Sequence, residues 1–348
     1  MKKIVFFLPS AVGGAERVTI NYSRLLDSEN YQKVFVLIGR DSTDIRKLLP
    51  EKAKTYEIKI KNINRWGIFR IIKILIKEKP DFTFSSMFWV NVRVLIAAKI
   101  LRIKAVVRNN NTFSCLQNWL LHWIKIVYPF AYRIVVQQEE MYDEVFRTLP
   151  SVREKISVIH NPFIKEDIDR KKKERNPYPK RDEIKILWVA RFSYQKGQDV
   201  LVRAFKYVLE SNPQCHLYFL GKYDAKSEYF KEIKQFVLEN KLNEKVSFLG
   251  FDSNPYCWMN NCDCFVMPSR LEGLPNALIE AMYLGRPVVA TKCIPVVSRI
   301  VEDGYNGFLV EPDNPIEMAK SILKALTLRD FKMTYKASGK EDVKLIFS

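Results

Sequence analysis

Short apolar runs alternate with longer amphipathic segments in this chain, and after a break the alternation starts again from the beginning. In the first series residues 2–8, 33–39, 82–85, 105–108 and 134–137 read as strands, and 15–26 and 66–77 as helices. The break, residues 165–183, is polar and basic, contains Pro177 and Pro179, shows no apolar periodicity and reads as a linker. In the second series 184–190, 217–220, 246–249, 264–267 and 288–290 read as strands, and 200–209 and 276–284 as helices. Such alternation implies parallel βαβ units. The expected class is therefore α/β, with two Rossmann-like, doubly wound domains facing a cleft. Residues 1–168 form the first, 169–183 the linker, 184–330 the second, and 331–348 a short tail. Doubly wound sheets bind ligands beyond the carboxyl ends of their strands.

At 348 residues and 47% hydrophobic the chain can build two cores, which excludes wholesale disorder. Its 57 Lys and Arg against 39 Asp and Glu leave +18. Fourteen of those cations and only two acids, Glu78 and Asp81, fall in residues 59–133, so that segment alone carries +12. Such a surface draws phosphates, anionic lipid or nucleic acid. No apolar run approaches the roughly 18–20 residues that span a bilayer. Residues 1–8 imitate a signal peptide, but Pro9 and the Gly13-Gly14-Ala15-Glu16-Arg17 text follow instead of a cleavage site, so they read as a buried first strand. Of six cysteines only Cys257, Cys262 and Cys264 cluster, and no His lies near to complete a metal set. They read as free thiols of a reducing cytoplasm, with no metal site expected.

Three places carry chemistry. Gly13-Gly14 lies between the first strand and the first helix, where glycine lets a ligand approach the backbone and a helix start favours anions. Arg191 and Lys196 follow the strand at 184–190, as two cations suited to a diphosphate. The segment Ser269-Arg270-Leu271-Glu272-Gly273-Leu274-Pro275-Asn276 follows a buried strand and opens a helix that contains Glu280. It aims backbone N–H groups at an anion and sets two carboxylates near it. Carboxylates accept hydrogen bonds well, and sugar hydroxyls are suitable donors.

Taken in order, these pieces resemble the retaining, nucleotide-sugar-dependent glycosyltransferases of family four, which have the GT-B fold. The resemblance covers residues 2–330 and includes His160-Asn161-Pro162, Leu249-Gly250-Phe251, and the paired Glu272 and Glu280 with seven residues between them. It implies roles residue by residue. Glu272, Arg191 and Lys196 are the catalytic set: Glu272 holds hydroxyls of the transferred sugar, and the two cations neutralise the diphosphate leaving group. Glu280 holds the nucleotide ribose. Leu274, Pro275 and Asn276 contact sugar and phosphate through backbone, and Gly13 and Gly14 lie against the phosphates. Glu16, Arg17 and Asn110 fall on the acceptor or sugar side. Many relatives carry a His where this chain has Asn110, and Asn cannot act as a general base near neutral pH. Relatives also end with a helix returning to domain one, whereas this tail is short and broken by Gly339.

The reaction implied is transfer of a hexose or N-acetylhexosamine from a nucleotide-diphosphate sugar, UDP-linked, to a polyprenyl-diphosphate-linked cell-surface glycan. Anomeric configuration is retained, and no cofactor or metal is required. An epimerase or phosphorylase of the same fold, or a basic nucleic-acid-binding protein, are the rival readings. No nucleic-acid module is recognised, and nucleic acid is not an expected partner. The expected location is the inner face of the plasma membrane. In residues 65–77, Trp66, Phe69, Arg70, Lys73 and Lys77 fall largely opposite a core-facing stripe, as an anionic membrane interface would require. In residues 116–130, Leu116, Trp119, Leu120, Trp123 and Val127 form a second amphipathic stripe, read first as core-facing.

Overall fold

Strands rich in Val, Ile and Phe and buried on both faces require helices above and below them, and both halves of the chain are built that way. The computed structural model describes residues 1–10, 13–39, 42–50, 53–59, 66–162, 164–179, 182–327 and 346–347. Two units result: Met1–Phe163 with Ala337–Ser348, and Ile164–Lys336.

Unit 1 runs β1 (Lys2–Pro9), α1 (Gly14–Leu25), β2 (Tyr31–Gly39), α2 (Thr43–Arg46), β3 (Lys54–Lys59), α3 (Trp66–Glu78), β4 (Phe82–Ser85), α4 (Phe88–Leu101), β5 (Lys104–Arg108), α5 (Asn118–Val127), β6 (Arg133–Val136), α6 (Glu139–Thr148) and β7 (Ile156–Val158). Its seven strands lie in the order β3-β2-β1-β4-β5-β6-β7, all parallel. The order reverses between β1 and β4. Register is set by burial: Phe6 pairs with Phe35 and Phe84, and their rings meet at 5.5 and 5.6 Å. α4 is apolar nearly all round and lies between two clusters, one on β1 and β2 and one on β5 and β6. Arg102, at φ +56°, closes it with an N–H to the Ala98 and Lys99 carbonyls.

Unit 2 runs α7 (Lys165–Lys171), β8 (Ile184–Val189), α8 (Gln198–Ser211), β9 (Cys215–Leu220), α9 (Glu228–Glu239), β10 (Val246–Gly250), α10 (Tyr256–Asn260), β11 (Cys264–Met267), α11 (Asn276–Tyr283), β12 (Val288–Thr291), α12 (Pro295–Ile300), β13 (Phe308–Val310) and α13 (Pro315–Ala325). The sheet order is β10-β9-β8-β11-β12-β13, again parallel, with its reversal between β8 and β11.

Two expectations of domain organisation need correction. Residues 165–183 are not a plain linker. Their first part is α7, and the stretch is fastened to unit 2: Asn254 donates to the Lys171 carbonyl at 3.0 Å, the Tyr283 hydroxyl to Asp169 at 2.7 Å, and Tyr178 is buried edge-on against Trp258. These are charged and hydrogen-bonded attachments, which leave no apolar period to read. The division therefore falls at residue 163, before the expected 169. The tail, in turn, does return to the first domain. Ile346 and Phe347 are buried in the unit 1 core, where the Phe347 ring meets Phe82 at 5.6 Å and Phe84 at 6.0 Å. Gly339 lies outside the described residues.

Candidate functional site

In unit 2 the loops after β8 and β11 leave adjacent strands at the point where the strand order reverses, the place where this topology opens a crevice. Lys196, on a short turn after β8, reaches across to Glu272 on the loop after β11, with Nζ 2.6 Å from Oε2. The Ser269 hydroxyl donates to the other carboxylate oxygen at 2.7 Å. Glu272 is thus half-buried, oriented on both oxygens and still within reach of a ligand. Lysine has three N–H donors, so the one on Glu272 leaves others for an anion.

The backbone under this pair is fixed by close approach. Gly197 has φ +66°, and a Cβ there would lie 2.0 Å from the Pro268 carbonyl oxygen, so only glycine lets the two loops meet. The Gln195 carbonyl accepts the Arg270 N–H at 2.8 Å, and the Thr291 hydroxyl, at the end of β12, donates to the Ser269 carbonyl. Arg270 then clamps the loop from outside. Its guanidinium takes both Asp199 oxygens at 2.9 and 2.7 Å, reaches Asp313 at 2.7 Å and lies 3.9 Å from the Tyr194 ring centroid. Burial alone would push the Asp199 carboxyl up, but hydrogen bonds from Arg270 and Tyr229 outweigh it and hold the group below its ordinary range. Beside the pair, the Cys293 thiol is pushed up to about 12, by burial first and then by the charge of Glu272.

Arg191 is exposed at the end of β8, and its carbonyl accepts from Gln198 at 3.3 Å. Leu274 and Pro275 are buried, and Asn276 begins α11, which carries no side-chain cap at its start. The Asn276 N–H donates to the Leu274 carbonyl at 2.9 Å, and the dipole of the helix start favours an anion beside it. Glu280 is half-buried on α11, with the Tyr256 hydroxyl at 3.4 Å. Ser269 and Arg270 stand inside the motif that marks the site, but Thr291 on β12, Cys293 on the loop after it and Asp199 on α8 carry no local signal.

In unit 1 the carboxyl edge brings several motif residues together. Gly13 is extended, at φ −150°, so its glycine is not needed for conformation. A Cβ there would meet the Glu16 carboxylate at 2.8 Å, and Glu16 is buried under it. Gly14 opens α1, and Arg17 is half-buried on its second turn. Arg108 is fully buried, bonded to Asn161 of the His160-Asn161-Pro162 text and 6.0 Å from the Tyr22 ring; burial pulls its pKa down. Asn110 is half-buried, its amide 3.0 Å from the Met87 sulfur.

On α3, Phe69, Arg70, Lys73 and Lys77 are exposed as expected; the Trp66 side chain lies outside what is described. The second stripe is not one face. Val127 and Ile124 enter the core, Leu116 and Leu120 are half-buried, while Trp119 and Trp123 point outward, opposite to the core-facing reading. The clustered cysteines are buried thiols: Cys257 and Cys262 donate to the Asn254 and Met259 carbonyls, each at 3.2 Å.

Two Rossmann-like domains, each a parallel doubly wound sheet, are the architecture of the glycosyltransferases of the GT-B fold. The chain belongs to glycosyltransferase family 4: residues 12–166 match the family described as Glycosyltransferase Family 4, and residues 169–342 match Glycosyl transferases group 1. It is similar to an uncharacterized glycosyltransferase of Methanocaldococcus jannaschii, 30% identical over 271 residues that cover 70% of this chain and 64% of that one. It is also 30% identical, over 69% of its own length and 62% of the other's, to the N-acetylgalactosamine-N,N'-diacetylbacillosaminyl-diphospho-undecaprenol 4-alpha-N-acetylgalactosaminyltransferase of Campylobacter jejuni. The chain thus spans somewhat under two thirds of the length of these two relatives. Among solved structures, Anabaena HepE in complex with UDP and glucose superposes with a TM-score of 0.78 over 94% of this chain and 90% of that one, at 21% identity.

Proposed function

We propose that this protein is a retaining, metal-independent glycosyltransferase that moves a hexose or N-acetylhexosamine from a UDP-linked donor to a polyprenyl-diphosphate-linked, cell-surface glycan. The observation that carries the reading is the Lys196–Glu272–Ser269 constellation at the switch point of unit 2. Breaking the anomeric bond leaves negative charge on the diphosphate and positive character on the sugar. Arg191 and Lys196 neutralise the first, aided by the start of α11. Glu272, with its oxygens already aligned, accepts hydrogen bonds from sugar hydroxyls, and Glu280 does the same for the ribose. The acceptor attacks the face that the leaving group vacates. The name of the Campylobacter relative supports a polyprenyl-linked acceptor, and the UDP in the Anabaena structure supports the base. Unit 1 supplies the acceptor side, with Glu16, Arg17 and Asn110, and works at the inner face of the plasma membrane. The exposed cations of α3 support that placement; no helix among the described residues is long and apolar enough to cross a membrane.

The test is incubation of the purified protein with a panel of nucleotide sugars and a polyprenyl-diphosphate-linked acceptor, in EDTA, with the anomeric configuration of the product read by NMR. Release of free nucleotide together with an α-linked product from an α-linked donor supports the reading. An altered nucleotide sugar formed without acceptor would show an epimerase instead.

A further inference from the structure

Three consecutive helices of unit 1, α3, α4 and α5, pack side by side, with α4 in the middle. Glu78 is the only acid on them, and it is buried against Lys3, Lys54 and Tyr56. Their exposed charges are therefore all cations: Arg70, Lys73, Lys77, Lys99 and Lys125.

The cations of α3 are partly committed. Arg70 donates to the Lys59 carbonyl at 3.2 Å, and Lys77 lies 5.5 Å from the Tyr56 ring, so both lean on the β3 edge. α5 is different. Trp119 is 55% exposed and Trp123 46%, and with Ile126 they form a strip at three- and four-residue spacing along one side, followed by exposed Phe130 on the turn after α5. The strip continues onto the end of α4, where Ile100 is exposed and Lys99 lies 5.1 Å from the Phe130 ring. The core takes Ile124 and Val127 from the face of α5 next to this strip, and Trp119 and Trp123 stay outside it.

We propose that the outer strip of α5, running from Trp119 to Phe130 and joined by Ile100, is the element that inserts into an anionic bilayer interface. In this arrangement α3 serves as an electrostatic flank. Tryptophan beside lysine is the side-chain pair that suits the headgroup level, and three helices without an exposed carboxylate of their own complement an anionic leaflet. A second copy of the chain fits less well, because a strip whose charges are all positive would face itself across a two-fold axis. Nucleic acid would account for the lysines but not for Ile100, Ile126 and Phe130. The placement also suits the reaction. α5 follows the Asn110 loop and begins at the carboxyl edge of the sheet, so an acceptor whose tail stays in the bilayer would present its head where this fold binds ligands. The inference rests on the lipid-linked acceptor proposed above.

The test compares the full chain with Trp119→Ser/Trp123→Ser and with Arg70→Glu/Lys73→Glu. Binding is measured by co-sedimentation with vesicles of 30% phosphatidylglycerol in phosphatidylcholine, at low salt and at high salt. The tryptophan variant should lose roughly 10-fold in partitioning per side chain, at both salt levels, since apolar burial is not screened. The α3 variant should lose affinity only at low salt. Both replaced tryptophans are exposed, so the circular dichroism melt should match wild type. Full binding by the tryptophan variant overturns the proposal. So does a wild type that ignores the vesicles but forms a dimer that the tryptophan changes dissolve. Transfer to a short-chain, water-soluble acceptor is measured in parallel and should be unchanged in the tryptophan variant. If wild type shows no transfer, the activity reading fails while the vesicle result still decides the docking strip.

Discussion

Lys196 and Glu272, 76 residues apart in sequence, meet at 2.6 Å on neighbouring loops of one sheet. In the proposed reaction the pair couples the two halves of the donor chemistry. The cation assigned to the leaving group is the partner of the carboxylate assigned to the sugar, so a donor entering the site makes lysine share itself between them.

Glu272→Gln keeps the size of the side chain and an acceptor for Ser269, but removes the charge. A charged hydrogen bond contributes about 1.5–3 kcal/mol, so kcat should fall about 10- to 150-fold with little change in melting temperature. Glu280→Gln should instead raise the Kd for the nucleotide. Steady-state kinetics together with calorimetric nucleotide binding distinguish the two. Both variants turning over like wild type would remove the assignment.

Arg191 is exposed and so contributes little to folding. Arg191→Ala should therefore leave stability within about 0.5 kcal/mol yet lower kcat by about 10²-fold, the size expected for an electrostatic stabiliser of the leaving group. Lys196→Ala should match it in kcat. Wild-type activity should persist in EDTA, and strict dependence on a divalent ion would contradict the mechanism.

Arg270 holds the loop after β11 through Asp199, and side-chain exposures of 14% and 27% make this pair more than a surface ion pair. Arg270→Ala should destabilise unit 2 by about 2 kcal/mol near neutral pH. The sign of the pH effect follows from Asp199, whose folded carboxyl lies below its unfolded value. Its contribution is present above about pH 4 and is lost as pH falls through the folded value. Urea unfolding of wild type and variant should therefore show a gap that narrows on acidification. A gap that widened instead would mean that Asp199 is not what Arg270 supports.

Much of this was legible in the chain. The strand at 2–8 was plain because its buried run is apolar, and the loop after β11 was plain because glycine, proline and glutamate stand together after a buried strand. α4 was not, because a helix apolar on all sides has no period to detect. The orientation of α5 was misread because Leu and Trp occupy both of its faces, and hydrophobicity alone does not say which one the core takes. The docking of residues 165–183 depends on Asp169, Lys171 and Tyr178 meeting partners more than seventy residues away, which local composition does not record.

Phe347 lies among Phe6, Phe82 and Phe84 with none of its surface exposed. Phe347→Ala should cost roughly 3–5 kcal/mol through lost burial and the cavity left behind. The loss should fall on unit 1, so differential scanning calorimetry should show one transition moved down and the other held. A uniform shift of both would mean that the two units unfold together.

The burial of Ile346 and Phe347 in unit 1 has a consequence for how the chain is made. Unit 1 is interrupted at residue 163, and the residues that complete its core are translated only after the whole of unit 2. At about 5–20 residues per second, the nascent first domain waits roughly 10–40 s with the aromatic slot between Phe6 and Phe82 unfilled. During that interval it is a binding surface for whatever apolar segment passes, whether a chaperone or another nascent chain. A ribosome stalled within unit 2 would therefore hold two incomplete domains rather than one finished and one growing.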